Sequence, residues 1–277
     1  MKKHLPTVII GLVFLVGLSV MLYPTIADYF NSFSQSRVVQ QYYESVAAMA
    51  EEDFEELFAA ASAYNEALRG KSGRFVFSEQ EEAEYMNLLN AFGNSIMGTL
   101  TINKIRVKLP IYHGTSDAVL QRGAGHLEGS SLPIGGPGTH SVISGHRGLP
   151  SSKLLTDLDK LTVGDAFVLN VYGEVLTYRI DQIVVVEPHD MAALAIEAGM
   201  DYCSLVTCTP YGINSHRMVL RGVRTDNEND ELLLNGTAEP IDTMLAAGII
   251  LLPVLMIVAV YVGLTFRKIH RKRKTFE

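Results

Sequence analysis

Cysteine is scarce in this chain of 277 residues, and the usual zinc-binding patterns of cysteine and histidine are missing. The two cysteines are Cys203 and Cys208, and no Cys-x-x-Cys or His-Glu-x-x-His pair occurs. A site built from His140, His146 and the cysteines would need side chains that strand spacing scatters. We therefore expect no bound metal ion.

Positive charge is scarce in the central part of the chain. Between residues 28 and 240 there are 15 Lys and Arg against 28 Asp and Glu, and the net charge of the whole chain is -7. Proteins that bind nucleic acid need Lys and Arg to neutralise phosphates. The sequence therefore argues against nucleic acid as a partner.

Two segments carry no charge at all. They cover residues 5–27 and 243–266, which are 23 and 24 residues long. Each is long enough to cross a hydrocarbon core of roughly 30 Å as a helix. The sequence therefore predicts two membrane spans that flank one domain, which excludes an ordinary cytosolic enzyme.

The flanking charges predict how these spans are oriented. Lys2 and Lys3 precede the first span, and six Lys and Arg follow the second within residues 267–277. Positive flanks mark the cytoplasmic side, so we expect both termini inside and the acidic middle outside the cell membrane. A cleaved signal peptide is the alternative for the first segment. Its uncharged run exceeds the roughly 7–15 residues usual for one, which favours a retained anchor.

The two cysteines are not expected to form a disulfide. They lie five residues apart in one predicted strand, facing opposite sides. Their Cα atoms would be roughly 16 Å apart, whereas a disulfide needs less than about 7 Å. An extracytoplasmic thiol therefore needs another explanation.

The part of the chain before residue 99 has helical periodicity. Apolar residues recur at a spacing near 3.6 from residue 37 to 69, which predicts one amphipathic helix that ends at Gly70. Residues 71–98 mix glycine, serine and charge, and we expect a loop there with a short helix near 81–90.

From residue 99 onwards the pattern changes to short β segments separated by Gly, Pro and Ser. Seven or so strands with few helices between them predict a closed antiparallel barrel. The predicted strands are 99–103, 105–112, 141–145, 166–172, 175–187, 202–208 and 216–224.

Cys208 ends an apolar strand, and the turn-forming run Thr209-Pro210-Tyr211-Gly212 follows it. The next strand begins near residue 216, so a hairpin would bring Arg217 back beside Cys208. A guanidinium next to a thiol favours the thiolate and can stabilise an oxyanion.

A thiol nucleophile also needs a proton shuttle, for which histidine is the usual choice. His146 follows the predicted strand 141–145 and would stand at its end. His126 and His216 are alternatives that the residues alone do not exclude.

Three motifs resemble one known family. Residues 205–217, LVTCTPYGINSHR, resemble the active-site signature of sortases. Residues 123–133, GAGHLEGSSLP, and 144–150, SGHRGLP, resemble the class C, pilin-polymerising branch, which also has a second membrane span. The resemblance covers about residues 99–225. It implies a closed eight-stranded sortase β-barrel with an N-terminal helical arm and two flanking transmembrane helices, and it implies no cofactor.

The resemblance also implies roles for individual residues. By position, Cys208 matches the nucleophile, His146 the general acid and base, and Arg217 the residue that orients substrate or stabilises the oxyanion. Thr207 and Thr209 are further candidates for contact with substrate or oxyanion.

His126 and His216 have no catalytic counterpart in the family, which favours structural roles for them. Many class C sortases also carry an Asp-Pro-aromatic lid over the active site, and this chain has no Asp-Pro dipeptide. A lid of another kind would have to come from residues 71–98, which contain Phe75, Phe77 and Tyr85.

The uncharged segments and the resemblance together predict that the chain divides into six segments. They are 1–27, an N-terminal membrane anchor or signal segment; 28–98, a helical arm and possible lid region; 99–226, the sortase barrel; 227–242, a linker; 243–266, a C-terminal transmembrane helix; and 267–277, a basic cytoplasmic tail.

The implied reaction is transpeptidation at the outer surface of the cell membrane. The thiolate of Cys208 would cleave an LPxTG-like sorting signal of a pilin through a thioester, and a lysine of another pilin would resolve it. One alternative is a sortase that attaches surface proteins to the cell-wall precursor. Another is a membrane-anchored binding module that keeps an inactive barrel.

Overall fold

The computed structural model describes residues 5–227 and residue 257. The predicted span 243–266 and the basic tail 267–277 lie outside the described residues, apart from that single position. The described residues belong to two compact units, which divide between residues 29 and 30.

The first helix, α1, runs from Leu5 to Ala47 and includes Pro24. By length and composition its stretch Val13–Ala47 could cross a membrane, and it is the one such helix among the described residues. Val13, Val16 and Val20 are more than half exposed. This helix is compatible with membrane association.

The prediction of one helix over residues 37–69 was wrong. Helix α1 ends at Ala47, and α2 runs from Glu51 to Leu68 after an extended Ala50. Acidic side chains are stabilising at a helix N-terminus, and the first turn of α2 is acidic throughout. The apolar spacing continues across the break, so periodicity alone does not reveal it.

The short helix predicted near residues 81–90 is α3, Glu79–Asn87. Ser78 and Glu81 form a capping box at its start, which satisfies two backbone N–H groups. Tyr85 is fully buried, and its hydroxyl accepts a hydrogen bond from the Gly114 N–H at 3.1 Å. This helix therefore packs into the core of the second unit.

Eight strands among the described residues close into a barrel in the order β1-β2-β3-β4-β7-β8-β6-β5. The strands are β1 Ile96–Ile102, β2 Val107–His113, β3 Ala124–His126, β4 Thr139–Ser144, β5 Ala166–Val171, β6 Glu174–Val186, β7 Asp201–Thr209 and β8 His216–Arg224. A four-residue helix, α4 (Asp117–Leu120), lies between β2 and β3. The predicted closed eight-stranded barrel is confirmed.

The barrel is mixed, so the prediction that it is antiparallel was wrong. β2 pairs with β3 in parallel, and β4 pairs with β7 in parallel. Strand β3 has only three residues, too few for an alternating pattern. The β4–β7 pair joins strands separated by β5 and β6 in the chain, and hydrophobic patterning does not specify such long-range pairing.

The helical arm is tied to the barrel by buried polar contacts. The Tyr42 hydroxyl on α1 donates to the Met97 carbonyl at 3.3 Å and accepts from the Tyr172 N–H at 2.7 Å. On α2, the Asn65 side chain bonds both the N–H and the carbonyl of Leu132, at 2.6 and 3.1 Å. The Asn65 bonds fix the loop between β3 and β4, which leads into the strand that precedes His146.

Candidate active site

The β7–β8 hairpin brings Cys208 and Arg217 together as directly opposed residues. Both side chains are half-buried. Cys208 and Cys203 are both free thiols. Cys203 is fully buried in the barrel interior, where burial raises the pKa of its thiol well above the ordinary value. Cys208 is therefore the accessible thiol of the two.

The parallel pairing of β4 with β7 leads His146 towards Cys208. Ser144 pairs with Val206, and the Gly145 N–H donates to the Val206 carbonyl at 3.0 Å. The next residue after Gly145 is His146, which therefore lies just beyond the end of β4, at about the level of Cys208 on β7. Thiol, imidazole and guanidinium thus come from three adjacent strands at one end of the barrel.

Side-chain alternation shows which face of the sheet these groups share. Cys203 and Leu205 point into the barrel core, so Val206 and Cys208 point outwards. The register of β8 places Arg217 opposite Cys208 and Val219 opposite Val206. The side chains of Cys208 and Arg217 therefore lie on the outside of the barrel.

An apolar surface continues from these groups along the outside of β4, β6, β7 and β8. Leu194, in the loop between β6 and β7, is buried against it, and Leu127 is packed there in part. We call its five valines the outer apolar face: Val142, Val184, Val186, Val206 and Val219. Val142 and Val219 are buried, but Val184, Val186 and Val206 are only half-buried, so this part of the face can receive the apolar side chains of an extended peptide that ends at Cys208.

His126 does not belong to this site. It is fully buried, its Nε2 donates to the Ser131 carbonyl at 2.8 Å, and its Nδ1 lies 2.9 Å from the Tyr85 hydroxyl. Burial lowers the pKa of the His126 imidazole to about 3. The ring is therefore neutral near pH 7 and acts as a structural hydrogen-bonding group.

His140 is also structural. Its Nδ1 donates to the Ala195 carbonyl at 2.7 Å, and its Nε2 accepts from the Ser204 hydroxyl at 2.8 Å. Burial lowers the pKa of the His140 imidazole to about 4. Both ring nitrogens are engaged within the protein, and in residues 5–227 no group of His, Cys, Asp or Glu could hold a metal ion.

His216 lies on the hairpin but on the other face from Arg217, since neighbouring residues of a strand point to opposite sides. It pairs with Thr209, and its Nε2 is 3.3 Å from a carboxylate oxygen of Glu187. His146 is therefore the histidine that the fold directs towards Cys208.

The two threonine candidates differ in their surroundings. Thr207 is buried with its side chain towards the barrel interior, and its hydroxyl donates to the Gly145 carbonyl at 2.8 Å. This bond holds the residue that precedes His146. Thr209, the last residue of β7, is half-buried and leads into the hairpin loop.

Arg217 retains donors for a ligand. Its Nη1 donates to the backbone carbonyls of Asn214 and His216 at 3.3 and 3.1 Å. These bonds orient the guanidinium while its other nitrogens make no bond within residues 5–227. A planar cation held in this way beside Cys208 can stabilise negative charge on a substrate carbonyl.

The two loops of the site make a contact that was not predicted from the sequence. Arg147, next to His146, forms an ion pair with Asp159 and lies over the Tyr211 ring at 5.8 Å. A Cβ at Gly148 would lie 3.0 Å from the same ring. The backbone at Gly148 has a φ of +79°, which glycine adopts readily. The presence of a glycine beside Arg147 was the one signal in the sequence for this close approach.

We predict that the folded domain loses stability in mild acid. His126 and His140 have pKa values below the ~6.5 of an unfolded histidine. Below pH ~6.5 the unfolded chain binds protons at these residues that the folded chain does not bind, so the free energy of unfolding falls as the pH is lowered to 4, by on the order of 3 kcal/mol for each group. Urea unfolding midpoints measured from pH 7 to 4 should fall accordingly.

The variant His140→Gln keeps hydrogen-bonding groups but does not titrate, so it should flatten the curve over this pH range. Equal pH slopes in the variant and the wild type would contradict the assignment to His140.

Comparison with known proteins agrees with the geometry. The sortase domain family matches residues 100–225. Sortase C1 from Streptococcus agalactiae, known from a crystal structure, is 47% identical in sequence to this chain. The match covers 69% of this chain and 100% of the sortase C1 chain, with a TM-score of 0.67. Clostridium perfringens sortase C, solved with the C-terminal cell wall sorting motif, is 39% identical over 69% of this chain and 99% of that one, with a TM-score of 0.61.

Sortase D of Bacillus subtilis is 31% identical over 131 residues, which are 46% of this chain and 63% of that protein. The chain spans about half to two thirds of the length of the curated relatives it matches.

A closed mixed barrel of eight strands in this order is the fold of the solved sortases that resemble the chain, and this chain belongs to the sortase family. Within it, solved structures that resemble the chain include class C sortases of Streptococcus agalactiae, Streptococcus pneumoniae and Clostridium perfringens. Sortases are cysteine transpeptidases.

Proposed function

We propose that this protein is a membrane-anchored class C sortase that polymerises pilins, with Cys208 as its nucleophile. The observation that carries the proposal is the cross-strand pair of Cys208 and Arg217 at the end of the outer apolar face. His146 follows β4 into the same region. Substrate, nucleophile and proton donor can therefore meet at one point on the barrel surface.

The first half of the reaction is acylation. The Cys208 thiolate attacks the Thr carbonyl of an LPxTG-like sorting signal, and Arg217 stabilises the charge that develops on the carbonyl oxygen. The Thr–Gly bond breaks, protonated His146 gives its proton to the leaving amine, and a thioester to Cys208 remains.

The second half is aminolysis. A lysine amine of another pilin attacks the thioester carbonyl, the carbon–sulfur bond breaks, and Cys208 leaves as thiolate. His146 takes the proton that the amine releases, which restores the starting state. The product is an isopeptide bond between two pilin subunits, and no cofactor takes part.

Substrate recognition is proposed to use the outer apolar face. An extended LPxTG-like peptide lying along β7 would set its leucine and proline against the valines while its threonine reached Cys208. The structure of C. perfringens sortase C contains a C-terminal cell wall sorting motif. That relative supports the same class of ligand here.

The location proposed is the outer surface of the cell membrane. Helix α1 supplies an apolar stretch compatible with an anchor, and the uncharged segment 243–266 with its basic tail supplies the second span. Both termini then lie in the cytoplasm and the barrel lies outside. Emerging pilins are anchored to the same membrane, which raises the effective concentration of the acceptor lysine.

The acceptor decides between polymerisation and cell-wall anchoring. We predict that the purified enzyme joins pilins into ladders linked by lysine isopeptide bonds, observed by gel electrophoresis and mass spectrometry. Pilins with lysines replaced one at a time by Ala should include one that stops the ladder. If none does, and adducts with the wall precursor form instead, the anchoring function takes its place.

A further inference from the structure

The segment between α2 and α3, residues 69–78, holds two loops of the barrel together through one side chain. Arg74 donates from Nη1 to the Gly129 carbonyl at 3.2 Å and from Nη2 to the Leu194 carbonyl at 2.6 Å. Gly129 lies in the loop between β3 and β4, and Leu194 lies in the loop between β6 and β7. A single guanidinium therefore bridges loops that are distant in the chain.

Both loops contribute to the edge of the outer apolar face. Leu194 is only 5% exposed and packs with Val142 and Val219, while Leu127 packs against the same cluster from the β3–β4 loop. The next carbonyl after Leu194, that of Ala195, accepts from His140 at 2.7 Å. Two consecutive carbonyls of the β6–β7 loop are thus held, one by Arg74 and one by β4.

The surroundings of Arg74 leave little room for adjustment. Gly129 has φ of +81°, and a Cβ there would lie 2.1 Å from the Arg74 carbonyl oxygen. The Arg74 guanidinium lies over the Phe75 ring at 4.6 Å. Of the other aromatic residues considered for a lid, Tyr85 lies in the core and Phe77 packs against it.

We propose that Arg74 is a positioning residue that sets the width of the outer apolar face, and so the affinity of the enzyme for the apolar residues of its sorting signal. This inference rests on the proposed function. Arg74 acts on the peptide through Leu194, whose position it fixes, and it takes no part in the bond changes at Cys208. A planar guanidinium can point two N–H groups at two carbonyls, which an ammonium group does not reproduce.

The test is steady-state kinetics of the full chain with a labelled LPxTG-type peptide. For Arg74→Ala we expect KM to rise about tenfold, because a charge-assisted hydrogen bond to the Leu194 carbonyl is lost. We expect kcat to stay within about twofold of wild type. Arg74→Lys should resemble the Ala variant. Leu194→Ala should raise KM for a peptide with leucine at the first position of the motif. The rise should be smaller for a peptide with a bulkier apolar residue in place of that leucine.

Arg69 offers a matched control on the same segment. It donates to the Pro137 and Gly138 carbonyls at 2.6 and 3.1 Å and makes no bond to the β6–β7 loop within residues 5–227. Arg69→Ala should therefore leave KM within about twofold of wild type. An equal rise of KM in both variants, or a fall in kcat alone for Arg74→Ala, would overturn the proposal.

Hydrogen–deuterium exchange supplies a readout that does not depend on turnover. Arg74→Ala should speed amide exchange in residues 192–195 and leave β4 protected, whereas unchanged exchange in that loop would contradict the clamp. If the wild type forms no thioester with the peptide, the proposed function fails by itself. The exchange result then still decides whether Arg74 fixes the loop.

Discussion

Replacing Cys208 by Ala is expected to abolish thioester formation and polymerisation, a loss of at least about 10⁴-fold in rate, because no other group can form the acyl intermediate. Cys208 stands opposite Arg217 on the outer surface of the barrel. The measurement is the mass shift of the protein after incubation with a labelled sorting peptide. Wild type should gain the acyl group, and the variant should not.

Cys203→Ala is the matched control within the same strand. Cys203 is fully buried in the barrel core, and burial raises the pKa of its thiol, so it packs as a small apolar group. We expect activity within about threefold of wild type and a stability loss on the order of 1 kcal/mol. Equal loss of acylation in both folded variants would contradict the assignment of Cys208.

The local parts of this site could be predicted from sequence because a hairpin is a short-range structure. An apolar strand, the turn residues after Cys208 and a second strand determine which residues face each other, and Arg217 does stand opposite Cys208. His146 could not be selected in that way. Its approach depends on the parallel pairing of β4 with β7, and only the family resemblance favoured it over His126 and His216.

The extent of burial distinguishes the structural histidines from His146, and burial depends on the tertiary fold. His126 and His140 look in sequence like other histidines that follow or enter a strand. In the fold both are enclosed and neutral, with Ser131 and Ala195 carbonyls as partners. No pattern of residue types around them encodes a backbone carbonyl from a distant loop, so their structural roles required coordinates.

The same limit applies to the helical arm and to residues 69–78. Acidic residues at 51–53 are typical of a helix start, yet the unbroken apolar spacing led to one predicted helix instead of α1 and α2. The contacts of Arg74 are with main-chain oxygen atoms. Any residue can supply these, so only the missing Asp-Pro dipeptide suggested that this region departs from its relatives.

Replacing Arg217 by Lys is expected to lower kcat/KM about 10²–10³-fold, although the charge is kept. In the structure Nη1 is bound to the Asn214 and His216 carbonyls, which aims the rest of the planar group. An ammonium that used its donors on the same carbonyls would reach the substrate oxygen with poorer geometry. Acylation by a labelled sorting peptide at saturating and limiting concentrations measures the effect.

Arg221 provides the control for this change, because it lies on the same strand and the same face, two register positions beyond Val219. Its guanidinium binds Asp181 at 3.1 and 2.7 Å, away from Cys208. Arg221→Lys should therefore keep activity within about threefold of wild type, since the ion pair that it disturbs makes no contact with Cys208 or Arg217. If Arg217→Lys were equally mild, positive charge alone would suffice beside Cys208, and the directed N–H groups of Arg217 would not be what stabilises the transition state.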